Sequence, residues 1–190
     1  MKKLYLFLVF FLLTACASAQ SLDPLSAQLE AQTAWQQPWR GVWELNWVQS
    51  PLPGPLVFAA WQTKSGAQRR CEILEAPVAS LVGMTYVNDG LSTTIFNKLE
   101  PDIPVVSATQ TLPFSPISNS LTIVDALLAQ TPQSAEEEPA KGDIARFTLH
   151  YPQGESLALW LNAQNNLIIR LELHSAKANF TLAARSMESN

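Results

Sequence analysis

Few residues of this chain have the types and spacing that carry covalent or acid–base chemistry. His150 and His174 stand at alternating positions of two strand-like stretches. Neither has a Ser or Cys and an Asp or Glu arranged around it as a nucleophilic triad requires, so both read as exposed strand histidines. Cys71 lies between Arg70 and Glu72 and alternates with Ile73, which points it inward as a core thiol. Glu136-Glu137-Glu138 is a solvated charge run, because a hard-cation site needs converging oxygen ligands that the sequence does not supply. No CxxC or Cys/His cluster indicates zinc. The expectation is a protein that is not an enzyme and needs neither metal nor cofactor.

Cys16 has a chemical context of another kind. Lys2 and Lys3 precede an uncharged apolar run, Leu4 to Leu13, and small residues follow. That order of parts is a secretory signal peptide, and the run is too short to span a bilayer, which takes about 20 residues. Leu13-Thr14-Ala15-Cys16 resembles the bacterial lipobox, whose cysteine is diacylated and becomes the new N-terminus. Cleavage after Ala17-Ser18-Ala19, a small-x-small site, is the alternative. On the first reading residues 1–15 are the signal peptide, 16–23 a short tether and 24–190 one domain. Acyl chains at about 0.8 kcal/mol per buried methylene would hold that domain on a membrane of the bacterial envelope.

Of 190 residues, 47% are hydrophobic and 15% charged, too apolar for disorder and enough for one sizeable core. The net charge of −4 becomes −6 once Lys2 and Lys3 are removed. No basic cluster remains, which argues against nucleic acid as a partner.

The elements that must position any site follow from periodicity. Asp23-Pro24 is a helix start, an N-cap acceptor before proline. Leu22, Leu25 and Leu29 then recur toward Trp35, predicting a helix over 24–36 that packs through its leucines. From Gly41 the period is two: Trp43, Leu45 and Trp47 share one strand face. Strands follow over 56–63, 68–74, 83–88 and 91–97, the last two joined by Asp89-Gly90. Residues 99–117, with Pro101, Pro104, Pro113 and Pro116, predict a long extended loop. Ser118-Asn119-Ser120 caps a helix over 120–130 with Leu121, Val124, Leu127 and Leu128 on one side. Residues 131–142 predict a mobile acidic loop. Strands over 144–151, 157–162, 167–174 and 179–185 close the chain. The sum is about nine antiparallel strands and two helices, an α+β arrangement whose large sheet curls to bury its inner face.

From Trp43 to Phe96 the chain resembles the LolA/LolB-type lipoprotein-sorting fold, with its related sporulation lipoproteins and the sensor domain of periplasmic RseB-type regulators. The resemblance rests on Ala60-Trp61-Gln62-Thr63-Lys64, Arg70-Cys71-Glu72, the Val87-Asn88-Asp89-Gly90 hairpin, Thr94-Ile95-Phe96 and the later Leu157-Ala158-Leu159-Trp160-Leu161 strand. It implies an incomplete β-barrel covered by lid helices, with an apolar cavity for acyl chains. In carrier members an arginine after the second strand ties the lid shut. Lys64 stands at the matching position, and it lacks arginine's planar fork.

On this reading Trp43, Leu45, Trp47, Phe58, Trp61, Phe96, Leu121, Val124, Leu127 and Trp160 line the cavity and Lys64 is the lid latch. Partners are lipid or the acyl chains of lipoproteins, the membrane through the N-terminal lipid, and an envelope protein. The alternative is a sensor or interaction domain with a packed core and no ligand. Replacing Cys16 by Ser should move the protein from the membrane to the soluble fraction. A wild-type chain found to begin at Gln20 would rule the lipid anchor out.

Overall fold

The computed structural model describes residues 20–48, 54–63, 68–89, 93–108 and 116–189, without the side chains of 100–108, 139–140 and 189. The leader with Cys16, Gly90 and Lys64 lie outside the described residues.

Twelve strands form one antiparallel sheet: β1 Gln20–Leu22, β2 Trp39–Trp47, β3 Leu56–Gln62, β4 Arg69–Glu75, β5 Thr85–Asn88, β6 Thr93–Asn97, β7 Glu100–Ala108, β8 Ser134–Lys141, β9 Ile144–His150, β10 Ser156–Asn162, β11 Leu167–His174 and β12 Asn179–Ser189. Their order is β1-β8-β9-β10-β11-β12-β2-β3-β4-β5-β6-β7. The edge strands β1 and β7 do not pair, so the curled sheet is an open barrel. Two helices complete it, α1 Pro24–Gln36 and α2 Pro116–Leu128.

Cross-strand register builds the inner face. Trp43 pairs with Phe58, which pairs with Ile73, while Leu45 pairs with Leu56 and Leu182. Leu159 lies between Phe147 and Leu171, and Leu157 between Leu149 and Leu173. These side chains form one buried cluster with both helices. At the β2–β12 seam a bulge between Ala184 and Ser186 brings the chain against Gly41, where a Cβ would lie 2.5 Å from the Ser186 carbonyl oxygen. Only glycine fits that close approach.

Several expectations are corrected. Among the described residues there are twelve strands rather than about nine. The loop expected at 99–117 contains β7, whose Pro101 and Pro104 are tolerated because β7 is an edge with a free side. The acidic loop expected at 131–142 contains β8, paired on both sides by β1 and β9. Its Ala135 is in the core while Glu136 is exposed. Residues 20–22, read as tether, are β1. Helix α2 starts at Pro116 rather than near 120.

Helix α1 has the expected limits, and its Asp23 carboxylate accepts from the Ser26 backbone N–H at 2.9 Å. Its phase is the reverse of the leucine stripe. Leu25 and Leu29 are 52% and 53% exposed, and Ala27, Ala31, Ala34 and Trp35 face inward. The helix packs on β8, β9 and β11, close enough that alanines fill the gap. Ala31→Leu should therefore overpack that seam and cost about 1–3 kcal/mol. Leu25→Ser should stay within about 0.5 kcal/mol of wild type. Urea unfolding of the two variants checks the phase, and equal costs would refute it.

Candidate functional site

Where α2 crosses β4, β5 and β6 the packing is incomplete, leaving a cavity of about 260 Å³. Its sheet side includes Cys71 and Tyr86, and its helix side is Ile117, Ser118, Leu121 and Thr122. The rim is polar, with Arg69, Asn88, Thr93 and Asp125. Burial pushes the Cys71 thiol up to about 12, against a smaller opposing effect of the Arg69 charge. The thiol is therefore neutral and unreactive at ordinary pH, in keeping with its expected inward orientation.

The rim is closed by a network centred on Arg69. The Arg69 guanidinium donates from Nη1 to Asp125 Oδ2 at 2.5 Å and from Nη2 to Asp125 Oδ1 at 2.8 Å. Its Nε donates to Gln62 Oε1 at 2.5 Å, and its Cζ lies over the Trp35 ring, 5.0 Å from the centroid. Trp35 Nε1 donates to the same Asp125 Oδ1 at 2.7 Å. Buried Gln62 in turn donates to the backbone carbonyls of Trp35 and Gln37. One bidentate ion pair thus ties the lid helix α2 to β4, and the bonds around it tie in β3 and the end of α1. The Arg69 side chain is 9% exposed and that of Asp125 44%, so the pair is screened on the acid's side only.

Of the residues expected to line a cavity, Leu121 does so. Trp43, Leu45, Phe58 and Val124 are packed in the core, as is Leu127. Trp47 is half-buried with its ring 5.2 Å from that of Phe180. Trp61, Trp160 and Phe96 are placed differently. Trp61 lies on the outer face beneath Arg70, and Trp160 on the same face between Arg146 and Arg170. Phe96 is half-buried on the side opposite Ile95. Lys64 lies outside the described residues; the ion pair seen between α2 and the sheet is that of Arg69, five positions later, with Asp125. Sequence reasoning missed Arg69 and Asp125. The available signal was an aspartate beside the apolar stripe of α2 and an arginine opening β4, on the face of Cys71.

His150 and His174 sit 4.0 and 3.9 Å from Glu136 and Glu172, all four at the surface or close to it. Among the described residues no group of three His, Cys, Asp or Glu converges on a metal site, and no helix is long and apolar enough to cross a membrane.

The sequence matches no family model and no curated protein. Solved structures share the fold. LprF from Mycobacterium bovis overlays with a TM-score of 0.50 at 12% identity, over 90% of this chain and 96% of that one. The MucA/MucB complex of Pseudomonas aeruginosa contains a chain matched with a TM-score of 0.50 at 14% identity, over 88% of this chain and 57% of that one. A LolA superfamily protein from Nitrosomonas europaea is matched at 11% identity over 89% of this chain and 94% of that one, with a TM-score of 0.43. The architecture expected from the LolA/LolB-like resemblance, an unclosed antiparallel barrel with two helices, is the one found.

If Asp125 holds α2 over the cavity, Asp125→Asn should let Cys71 react with a maleimide at pH 8 severalfold faster than in wild type, because exposure of the thiol lowers its raised pKa. Unchanged labelling would show that the ion pair does not gate the cavity.

Proposed function

We propose that this is a membrane-anchored, non-catalytic lipoprotein of the bacterial envelope. It binds lipid or lipoprotein acyl chains beneath α2, in lipoprotein sorting or envelope maintenance. The observation that carries the reading is the cavity between Cys71, Tyr86, Ile117 and Leu121, closed by a side-chain latch. An apolar patch of Cys71, Tyr86, Ile117 and Leu121 beside polar groups that include Arg69 and Asp125 suits an amphiphile. The volume of about 260 Å³ falls below the usual ligand-pocket range of about 300–1,000 Å³, so a long chain enters only as α2 lifts. Burial of its surface at about 25 cal/mol per Å² drives that entry.

The second reading is a docking domain for another envelope protein. It is favoured by Leu25 and Leu29, exposed one turn apart on α1, and by the shared fold with a protein solved as a MucA/MucB complex. The two readings separate on one measurement. The uncharged fluorophore N-phenyl-1-naphthylamine should brighten on adding the purified protein, and Leu121→Trp should weaken its binding at least severalfold by filling the cavity. A protein that binds no such probe is not a lipid carrier, and the docking reading then takes its place.

A further inference from the structure

We infer that the donors closing the cavity form a site for the anionic headgroup of a single-chain amphiphile, and that this ligand opens the lid by replacing Asp125 on Arg69. The inference rests on the acyl-chain reading of the same cavity and names its ligand class.

Three donors, Arg69 Nη1, Arg69 Nη2 and Trp35 Nε1, converge on one carboxylate. The guanidinium is held in place by other partners: the Trp35 ring against its plane and Gln62 at Nε. Gln62 is fixed by two backbone carbonyls. None of these groups belongs to α2. The donor half of the latch is a preorganised fork on β3, β4 and α1, and the acceptor half is one side chain on the lid. Such a fork matches a carboxylate or a phosphate in the same bidentate way.

The asymmetry of burial sets the direction of exchange. Asp125, 44% exposed, regains water readily when α2 lifts. Arg69, 9% exposed and backed by Trp35, would lose its counter-ion in a site that water reaches poorly, which is the costly way to break a buried pair. An incoming anion removes that cost, and an uncharged headgroup does not. Asp125 and Arg69 both lie on the cavity rim, so an anion at Arg69 leaves its chain pointing between α2 and the Cys71–Tyr86 surface. The cavity of about 260 Å³ suits one chain rather than two. A fatty-acid carboxylate and a lysophospholipid phosphate share this chemistry.

The test is displacement of N-phenyl-1-naphthylamine from the purified protein by three sub-micellar competitors: palmitate, 1-palmitoyl-lysophosphatidate and uncharged monopalmitoylglycerol. In wild type at least one anion should displace the probe at about tenfold lower concentration than the glycerol ester, within the usual range of coupling between two competing contacts. Displacement by palmitate alone identifies a carboxylate source, and by lysophosphatidate alone a phosphate source. Asp125→Asn keeps Arg69 and removes the competitor, so the anions and the ester should both bind more tightly, neither having to part the ion pair, while the anions keep their advantage. Arg69→Gln should erase the preference while retaining the ester, which reports in the same variant that the cavity is intact. If anions and ester displace equally in wild type and in Asp125→Asn, the exchange is wrong and the acyl-chain reading stands. If the probe does not bind at all, that reading falls first.

Discussion

Everything at the mouth of this barrel depends on where the Arg69 charge finds its counter-ion. Among the described residues Asp125 is the partner it pairs with, and that partner is carried by a different layer of the fold. The ion pair adds little net stability, since the desolvation of Arg69 offsets much of its Coulombic gain, although leaving Arg69 unpaired is costly. Its value is positional. It selects one height of α2 above the sheet, and the Trp35 and Gln62 bonds around it make the guanidinium's place independent of that height. A latch built this way can release without disturbing the elements that carry its fixed half.

The rest of the interior leaves little freedom. Trp35, Trp39 and Trp43 run from the end of α1 into β2 with ring centroids 6.3 and 5.5 Å apart, in the tilted and edge-on arrangements aromatic pairs favour. They lock the α1–β2 junction, and Arg69 rests on the first of them. The alanine face of α1 then sits directly on β8, β9 and β11. Helix α2 meets the sheet through larger side chains, Ile117, Leu121, Val124 and Leu128. The cavity lies under α2, where large side chains interlock less completely than the alanines of α1.

The sequence made the elements of regular composition legible and hid those whose residues serve the surface. Asp23-Pro24 defined the start of α1, because a cap is a local bond needing no tertiary partner. The leucines misled about its buried face: hydrophobicity ranks side chains by transfer energy, whereas a close helix–sheet seam selects them by size. β7 and β8 were hidden for a related reason. An edge strand accommodates prolines, and a strand with one solvated face accommodates Glu136. Trp61 and Trp160 were placed inside on apolarity, yet each lies in register beside arginines, with Arg70 and with the Arg146–Arg170 pair, in cation–π contact on the outer face. Of the site itself, Leu121 and the inward thiol were readable from alternation. The Arg69–Asp125 pair was not, because 56 residues separate its members and neither has a local signature.

The same geometry decides which helix moves. α1 is bound at its start by the Asp23 cap and by β1, whose Leu22 pairs with Ala135. At its end the tryptophan series continues it into β2. Lifting α1 would break the sheet edge and the aromatic stack together. α2 is pinned at its Leu128 end, where the carbonyl accepts from the buried Gln28 amide of α1 at 3.0 Å; the rest of it is held by apolar contacts, which are non-directional and re-form against any apolar surface, and by the Arg69–Asp125 and Trp35–Asp125 bonds. An acyl chain supplies the first kind of contact and an anionic headgroup the second. A ligand with both could replace what α2 gives up on moving, while α1 and the inner face of the sheet keep their packing.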